Sequence, residues 1–401
     1  MIKRTLNQRA ATAVRILKEY GFLALWKRAV SSRVRHIQRP IEQFDFVLAR
    51  PVGERILREQ VDSKTINWVV PQFTAGAGGH TTIFRFVHFL EQQGFTCRVI
   101  IDGGISSGTS AQYRQLIRQS FFPLDAEVFV DFEDAPPAFI TVATGWESAY
   151  SISGIKSTVH KCYFVQDFEP WFYAVGSEHC LAEATYRLGY RGITAGSWLS
   201  DKLRADYGMK SDSINFSCDK AVYFPRARQP SPKKQVFFYA RPSTERRAFE
   251  LGLLVLSELS KRMPDVTVLL AGGDLANYDI PFDHVSEGVV SVQRLAELFS
   301  QCDAALVLSL TNVSLLPLEI MACGTPVVSN SGPWVEWLLT EANSFLAMPT
   351  VNGLVDALHS ALSDEDARTK VSAEGLRLAA ATSWEREAVR MGDIFRSLEN
   401  E

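Results

Sequence analysis

Residues 303–330 read DAALVLSLTNVSLLPLEIMACGTPVVSN. Two apolar runs in this stretch, 304–308 and 326–328, are too short for ordinary helices and read as buried strands. About two helical turns separate them, with Pro317 near the first helical position and Gly324 just past the last. Strand, loop, helix, strand is a crossover unit, which places its strands side by side in a parallel sheet. In such folds ligands bind at the carboxyl edge of the sheet, where this loop would lie. The amides at the helix start, from Ser314, Leu315 and Leu316, lack intrahelical acceptors and suit a phosphate. Glu319, one turn further on, suits hydroxyl groups instead. A nucleotide carrying a sugar presents both.

The same alternation runs through the chain. An apolar run at 66–70 leads into PQFTAGAGGH and then a helix with Ile83, Phe86, Val87 and Leu90 on one face and Gly94 as its stop. CRVIID follows as a second strand ending at Asp102. Gly76, Gly78 and Thr81 make an imperfect dinucleotide fingerprint, with Asp102 placed for a ribose. The competing reading is that Gly78 and Gly79 admit a sugar or pyrophosphate close to the backbone, with His80 near the helix start. Further strands are expected at 126–130, 139–143 and 162–165. The last runs into YFVQDFEPWFY, where Asp167 and Glu169 stand among aromatic rings that can stack on a sugar face. Ser197 is placed to cap one helix and Asn352 another.

PRARQPSPKK marks a linker within 224–234. Strand–helix alternation then restarts at 235–240, followed at once by Arg241, Arg246 and Arg247. Guanidinium groups at a strand end neutralise a pyrophosphate through paired charged hydrogen bonds. Gly272 and Gly273, after a strand at 266–271, again suggest close approach of backbone to a ligand. A final helix is expected from 384 to 398.

PLEIMACGTPVV resembles the donor-site helix of the retaining GT-B glycosyltransferases of family 4. That family usually carries two glutamates eight positions apart. Glu319 matches the second, and Thr311 stands where the first belongs. With this departure, and with FVQDFEPWFY, TYRLGYRGITAG and YARPSTERRAFELG, the chain is similar to the WsaF-type bacterial rhamnosyltransferases from about residue 66 to its end. The resemblance implies that Arg241 and Arg246 face the donor diphosphate and that the last helix crosses back to the first domain. It also implies L-rhamnose transfer from dTDP-rhamnose with retained configuration, to a growing surface glycan or lipid-linked glycan.

Charge is unevenly placed. Residues 1–40 hold ten Lys or Arg and one acid, a charge of +9, which leaves −12 on the rest of a chain whose net charge is −3. A basic helical segment over 1–38, with Phe22, Leu23, Leu25 and Trp26, suits a membrane interface. No nucleic-acid motif accompanies the charge. No apolar run is long enough to span a bilayer, and no signal peptide is recognisable. The six cysteines lack metal-ligand spacing and read as reduced core residues of a cytoplasmic protein, which the basic arm would place at the inner face of the plasma membrane.

These readings converge on an α/β chain of GT-B type: two Rossmann-like domains facing across a cleft, with an N-terminal helical extension. The expected divisions are 1–60 (basic helical extension), 61–223 (acceptor domain), 224–234 (linker), 235–380 (donor domain) and 381–401 (returning helix). Asp167, Glu169, Arg241 and Arg246 are the expected catalytic residues. Gly78, Gly79, His80, Arg241, Arg246, Arg247, Gly272, Gly273, Thr311, Ser314, Leu315, Leu316 and Glu319 are the expected substrate-binding residues, with no metal or other cofactor. The alternatives are a UDP- or GDP-sugar donor, another enzyme on the same fold (a sugar-nucleotide epimerase or a dinucleotide-dependent oxidoreductase), and a non-catalytic nucleotide-sugar-binding subunit of a glycan assembly complex.

Overall fold

A computed structural model describes residues 40–48, 50–103 and 108–401. The basic segment 1–38, and the membrane contact expected of it, lie outside the described residues. The chain divides into two units, Met1–Leu48 and Ala49–Glu401. In the first, Pro40–Gln43 forms one helical turn and Asp45–Val47 a 3-10 turn.

The second unit contains two sheets, and every strand pairing in them is parallel. The first sheet is built from β1 (Thr65–Val70), β2 (Thr96–Ile101), β3 (Glu127–Phe129), β4 (Ala138–Ala143), β5 (Thr158–Val165), β6 (Arg191–Ala195) and β7 (Ser211–Ile214), in the order β3-β2-β1-β4-β5-β6-β7. The second is built from β8 (Lys234–Tyr239), β9 (Val266–Ala271), β10 (His284–Gly288), β11 (Ala304–Val307), β12 (Val327–Asn330) and β13 (Ser344–Ala347), in the order β10-β9-β8-β11-β12-β13. Strands β1, β4, β11 and β12 are buried at every position. Continuous burial is what short unalternated apolar runs dictate, because helices must cover both faces. This is the doubly wound architecture of the GT-B fold.

Strand order reverses between β1 and β4 in the first sheet and between β8 and β11 in the second. Loops leaving the two strands at each reversal diverge and open a crevice at the carboxyl edge. In the second sheet those loops are the arginine turn after β8 and the loop after β11, so strand order places the start of the 308–316 segment beside Arg241–Arg247.

The helix Trp384–Ser397 returns to the first sheet and packs on the helix Gly78–Gln92. Phe395 meets Trp68 edge-on at 6.1 Å, and Trp384 meets Phe86 at 5.7 Å. Gln93 Nε2 donates to Ala388 O at 3.0 Å. All four rings are buried, and each contributes about 1.5–3 kcal/mol relative to exposure.

Two expected caps differ. The helix Ser197–Tyr207 is entered through Gly196 at φ 88°, so Ser197 is its first residue and caps nothing. The helix Val351–Ser363 is capped by Thr350, whose Oγ1 accepts from Gly353 N–H at 3.2 Å, in place of Asn352. Five cysteines are buried, Cys180 is exposed, and all six are free thiols. Among the described residues no helix is long and apolar enough to cross a membrane.

Candidate functional site

The second crevice is walled by guanidinium groups. After β8 the chain turns through Glu245–Arg247, a 3-10 turn that ends at Ala248 in the left-handed region, φ 49°. Leu310 N–H donates to Arg246 O at 2.9 Å, stitching this turn to the loop after β11. Arg247 Nη1 donates to Ser309 Oγ at 2.5 Å and Asn312 O at 3.3 Å. Burial pulls the Arg247 guanidinium down to about 10 against the pull of Asp167, so it stays charged at neutral pH. Arg246 lies over the Phe172 ring at 4.2 Å. Its Nε is buried without a hydrogen-bond partner, 3.5 Å from Asp167 Oδ2. Arg241 is exposed at the strand end, its Nη1 donating to Tyr239 Oη at 3.3 Å.

Asp167 and Phe172 belong to the first sheet's side of the cleft, and Arg246 and Thr311 to the second's. Asp167 follows β5 and is buried. Its Oδ1 accepts from Asn312 N–H at 2.7 Å and Phe168 N–H at 2.8 Å, and its Oδ2 from Thr311 Oγ1 at 3.0 Å. Burial raises its carboxyl pKa, opposed first by Arg247 and then by Arg246. Thr311 is itself buried, with its hydroxyl committed to Asp167. The expected substrate-binding threonine is therefore a partner of the expected catalytic aspartate.

Glu169 is placed differently from the expectation. It is buried inside the first domain, where Oε1 accepts from Tyr163 Oη and Oε2 from Trp146 N–H, both at 2.7 Å. Its own N–H donates to Tyr186 Oη at 3.1 Å. Burial pushes its carboxyl up to about 8. Strand-end position does bring it near the cleft, but its proline neighbour turns the chain into the 3-10 turn Glu169–Phe172 and folds the carboxyl back under Trp146.

Glu319 lies in the helix Leu316–Ala322, half-buried, and hydrogen-bonds with Tyr223. Burial raises its carboxyl to about 7, opposed by the Tyr223 hydrogen bond and by Arg85. Ser314, Leu315 and Leu316 lead into this helix, all partly exposed. Pro317 sits in its first turn, and Gly324 follows it at φ 82°. On the opposite side of the cleft Gly78 and Gly79 are exposed, and a side chain on Gly78 would meet nothing within 4 Å. His80 turns away from them: its Nε2 lies 3.2 Å from Pro71 O and its ring 4.9 Å from that of Phe73. Burial lowers its pKa, which keeps the imidazole neutral at physiological pH.

At Gly272 and Gly273 any side chain would crowd neighbouring protein. A side chain on Gly272 would lie 2.6 Å from the Tyr239 ring, and one on Gly273 2.9 Å from Ala240 O. Asp102 accepts from Ser151 Oγ at 2.7 Å. That bond, like burial of the carboxyl, weakens the dinucleotide reading of the first turn. Among the described residues no group of three or more His, Cys, Asp or Glu is gathered to hold a metal ion.

Sequence reasoning missed Asn312. Its Nδ2 donates to Gln166 O at 3.0 Å, just past β5, and to Ala195 O at 2.8 Å, the last carbonyl of β6, while its Oδ1 accepts from Trp337 Nε1 at 2.8 Å. A C-terminal loop residue thus satisfies strand-end groups of the N-terminal sheet. It stands beside Thr311 in the loop after β11, but its partners lie 146 and 117 residues away, and no local pattern links them.

Residues 234–359 match the family described as the C-terminal domain of WsaF. The chain is 32% identical over 385 residues to the O-antigen biosynthesis protein RfbC of Myxococcus xanthus. That match covers 89% of this chain but spans only 29% of the relative's length. Among solved structures, sucrose-phosphate synthase from Thermosynechococcus elongatus superposes with a TM-score of 0.67 at 15% identity, over 84% of this chain and 99% of that one. Anabaena HepE in complex with UDP-glucose superposes with a TM-score of 0.63 at 14% identity, over 83% and 99%. WaaG, a glycosyltransferase involved in lipopolysaccharide biosynthesis, gives 0.61 at 11% identity, over 82% and 99%. The chain thus has the fold of the GT-B glycosyltransferases, and its second sheet, with the arginine turn and the Glu319 helix, lies in a segment matching the WsaF C-terminal domain.

Proposed function

We propose that this chain is a retaining glycosyltransferase that moves L-rhamnose from dTDP-rhamnose to a growing surface glycan. The observation that carries this reading is the clustering of Arg241, Arg246 and Arg247 against the loop after β11, which leads into the helix that carries Glu319. Three guanidinium groups match the charge of a diphosphate. Glu319 accepts a hydrogen bond from a ribose hydroxyl, and a deoxyribose offers it the 3′ group alone. Similarity to an O-antigen biosynthesis protein supports the glycan acceptor.

In this reaction the bond between the sugar's anomeric carbon and the diphosphate oxygen breaks. The negative charge that develops on the leaving dTDP is met by Arg246 and Arg241, already fixed at the site by the protein. Arg247, held by Ser309 and Asn312, braces the turn and adds its charge from behind. This neutralisation uses guanidinium groups in place of a metal ion, so turnover should survive chelation with EDTA. The acceptor enters from the Gly78–Gly79 side, where the backbone is open. The basic segment 1–38 would hold a cytoplasmic enzyme near a lipid-linked acceptor. Flotation with anionic liposomes, lost on deleting 1–38, checks that placement.

The direct test is incubation with dTDP-rhamnose and a short glycan acceptor. Release of dTDP together with a product whose new linkage keeps the donor's anomeric configuration is expected. Turnover of UDP- or GDP-sugars with none of dTDP-rhamnose would replace the sugar while keeping the fold and reaction class.

A further inference from the structure

Arg246 is neither free nor properly paired. Its Nε–H is buried with no hydrogen-bond acceptor, and Asp167 Oδ2 stands 3.5 Å away. A charge-assisted bond between such groups closes to about 2.7–2.9 Å. Asp167 is prevented from closing because three other donors fix it: Asn312 N–H, Phe168 N–H and the Thr311 hydroxyl. Two of the three come from the opposite side of the cleft. Asn312 is in turn locked on Gln166 O and Ala195 O. Arg247 faces the same carboxylate, so two guanidinium groups share one buried negative charge. The site carries an excess positive charge and a donor without an acceptor.

We propose that Asp167 is a positioning residue that stands in for the donor's diphosphate: it holds Arg246 until the nucleotide arrives and then yields it. Thr311 and Asn312 set the distance, close enough to orient the guanidinium and too long to compete with a phosphate oxygen. This assigns Thr311 its role at a position where the two-glutamate pattern has a carboxylate. Here the carboxylate comes from the other domain, and its contact with Arg246 exists only while the two domains are closed together. The inference rests on the arginine turn being the diphosphate site.

The test is calorimetric titration of dTDP and of inorganic pyrophosphate into the full chain and its variants. In Asp167→Asn the side chain keeps its shape but no longer attracts Arg246. The variant is expected to bind dTDP more tightly, by roughly tenfold, the factor that 1.4 kcal/mol of relieved attraction produces. Because tighter product binding slows release, kcat and KM should fall together. Asn312→Ala, which loosens the junction without removing charge, should bind dTDP more weakly. In an Arg246→Ala background the effect of Asp167→Asn should disappear. Thr311→Val, a milder change, frees one lone pair of Asp167 to close on Arg246 and should weaken dTDP binding a few-fold.

A purely structural Asp167 would weaken binding in both Asp167→Asn and Asn312→Ala, and that result would overturn the inference while leaving the diphosphate site intact. Equal affinity in wild type and Asp167→Asn would overturn it too. If wild type bound neither dTDP nor pyrophosphate, the diphosphate site itself would fall, and the inference with it.

Discussion

Replacing Glu169 with glutamine separates its structural role from the catalytic one that its sequence position suggests. The carboxyl is raised from the usual 4.5 to about 8, with burial as the first cause. Between these values the folded protein holds a proton that the unfolded chain has released. Stability therefore falls as pH rises, by up to about 1.4 kcal/mol per pH unit. Integrated between roughly pH 5 and pH 7, this one group costs about 2–3 kcal/mol. Glutamine is neutral throughout and can serve the same partners. Its amide oxygen accepts from Trp146 N–H, and its amide nitrogen can donate to Tyr163 Oη. Urea melts of wild type and Glu169→Gln at pH 5, 6, 7 and 8 read the difference. The variant's stability should decline less steeply with pH, its advantage should grow toward pH 8, and its kcat should stay within about threefold of wild type. Parallel pH profiles would refute the burial argument. A fall in kcat of a hundredfold with intact stability would return Glu169 to the catalytic set.

Removing the Arg246 guanidinium (Arg246→Ala) should cost about 2–4 kcal/mol of transition-state stabilisation, roughly thirtyfold to a thousandfold in kcat/KM; dTDP release from dTDP-rhamnose measures it, and unchanged turnover would exclude the clamp. Because Glu319 ionises near pH 7 and a carboxylate accepts hydroxyl hydrogen bonds better than its acid, dTDP affinity should rise between pH 6 and pH 8. In Glu319→Gln that rise should flatten, as titration calorimetry would show. Gly196→Ala places a methyl group 2.5 Å from Trp337 at a backbone φ of 88°. It should destabilise the chain by about 3 kcal/mol, seen as a lower melting temperature, and loosen the Trp337–Asn312 contact with it.

Much of the fold was legible because parallel strands buried on both faces leave a plain trace: short apolar runs between helices. Strand β9 falls where its apolar run does, and the Glu319 helix has proline at its start and a left-handed glycine after its end, as the residue types require. Caps were less legible, since Thr350 and Asn352 both have suitable side chains and only the chain's entry angle selects Thr350. Glycine was ambiguous where it was most suggestive. Gly272 and Gly273 are small because Tyr239 and Ala240 press on them, and a sequence cannot tell a crowded neighbour from a ligand. At the site, the arginine turn could be found because its charges follow a buried strand directly. The Asp167–Thr311–Asn312 junction could not, because it joins loops 144 and 145 residues apart. Each of its residues looks ordinary alone. Glu169, two positions from Asp167 with the same chemistry, was separable from it only by what covers it.

In the proposed function the crevice of the second sheet holds a nucleoside diphosphate through its arginines. Titration calorimetry of dTDP, UDP and GDP into wild type and Arg246→Ala tests it most directly. The predicted result is saturable binding to wild type with dTDP preferred, weakened at least tenfold in Arg246→Ala. Absence of binding for all three, or binding indifferent to the loss of Arg246, would contradict it.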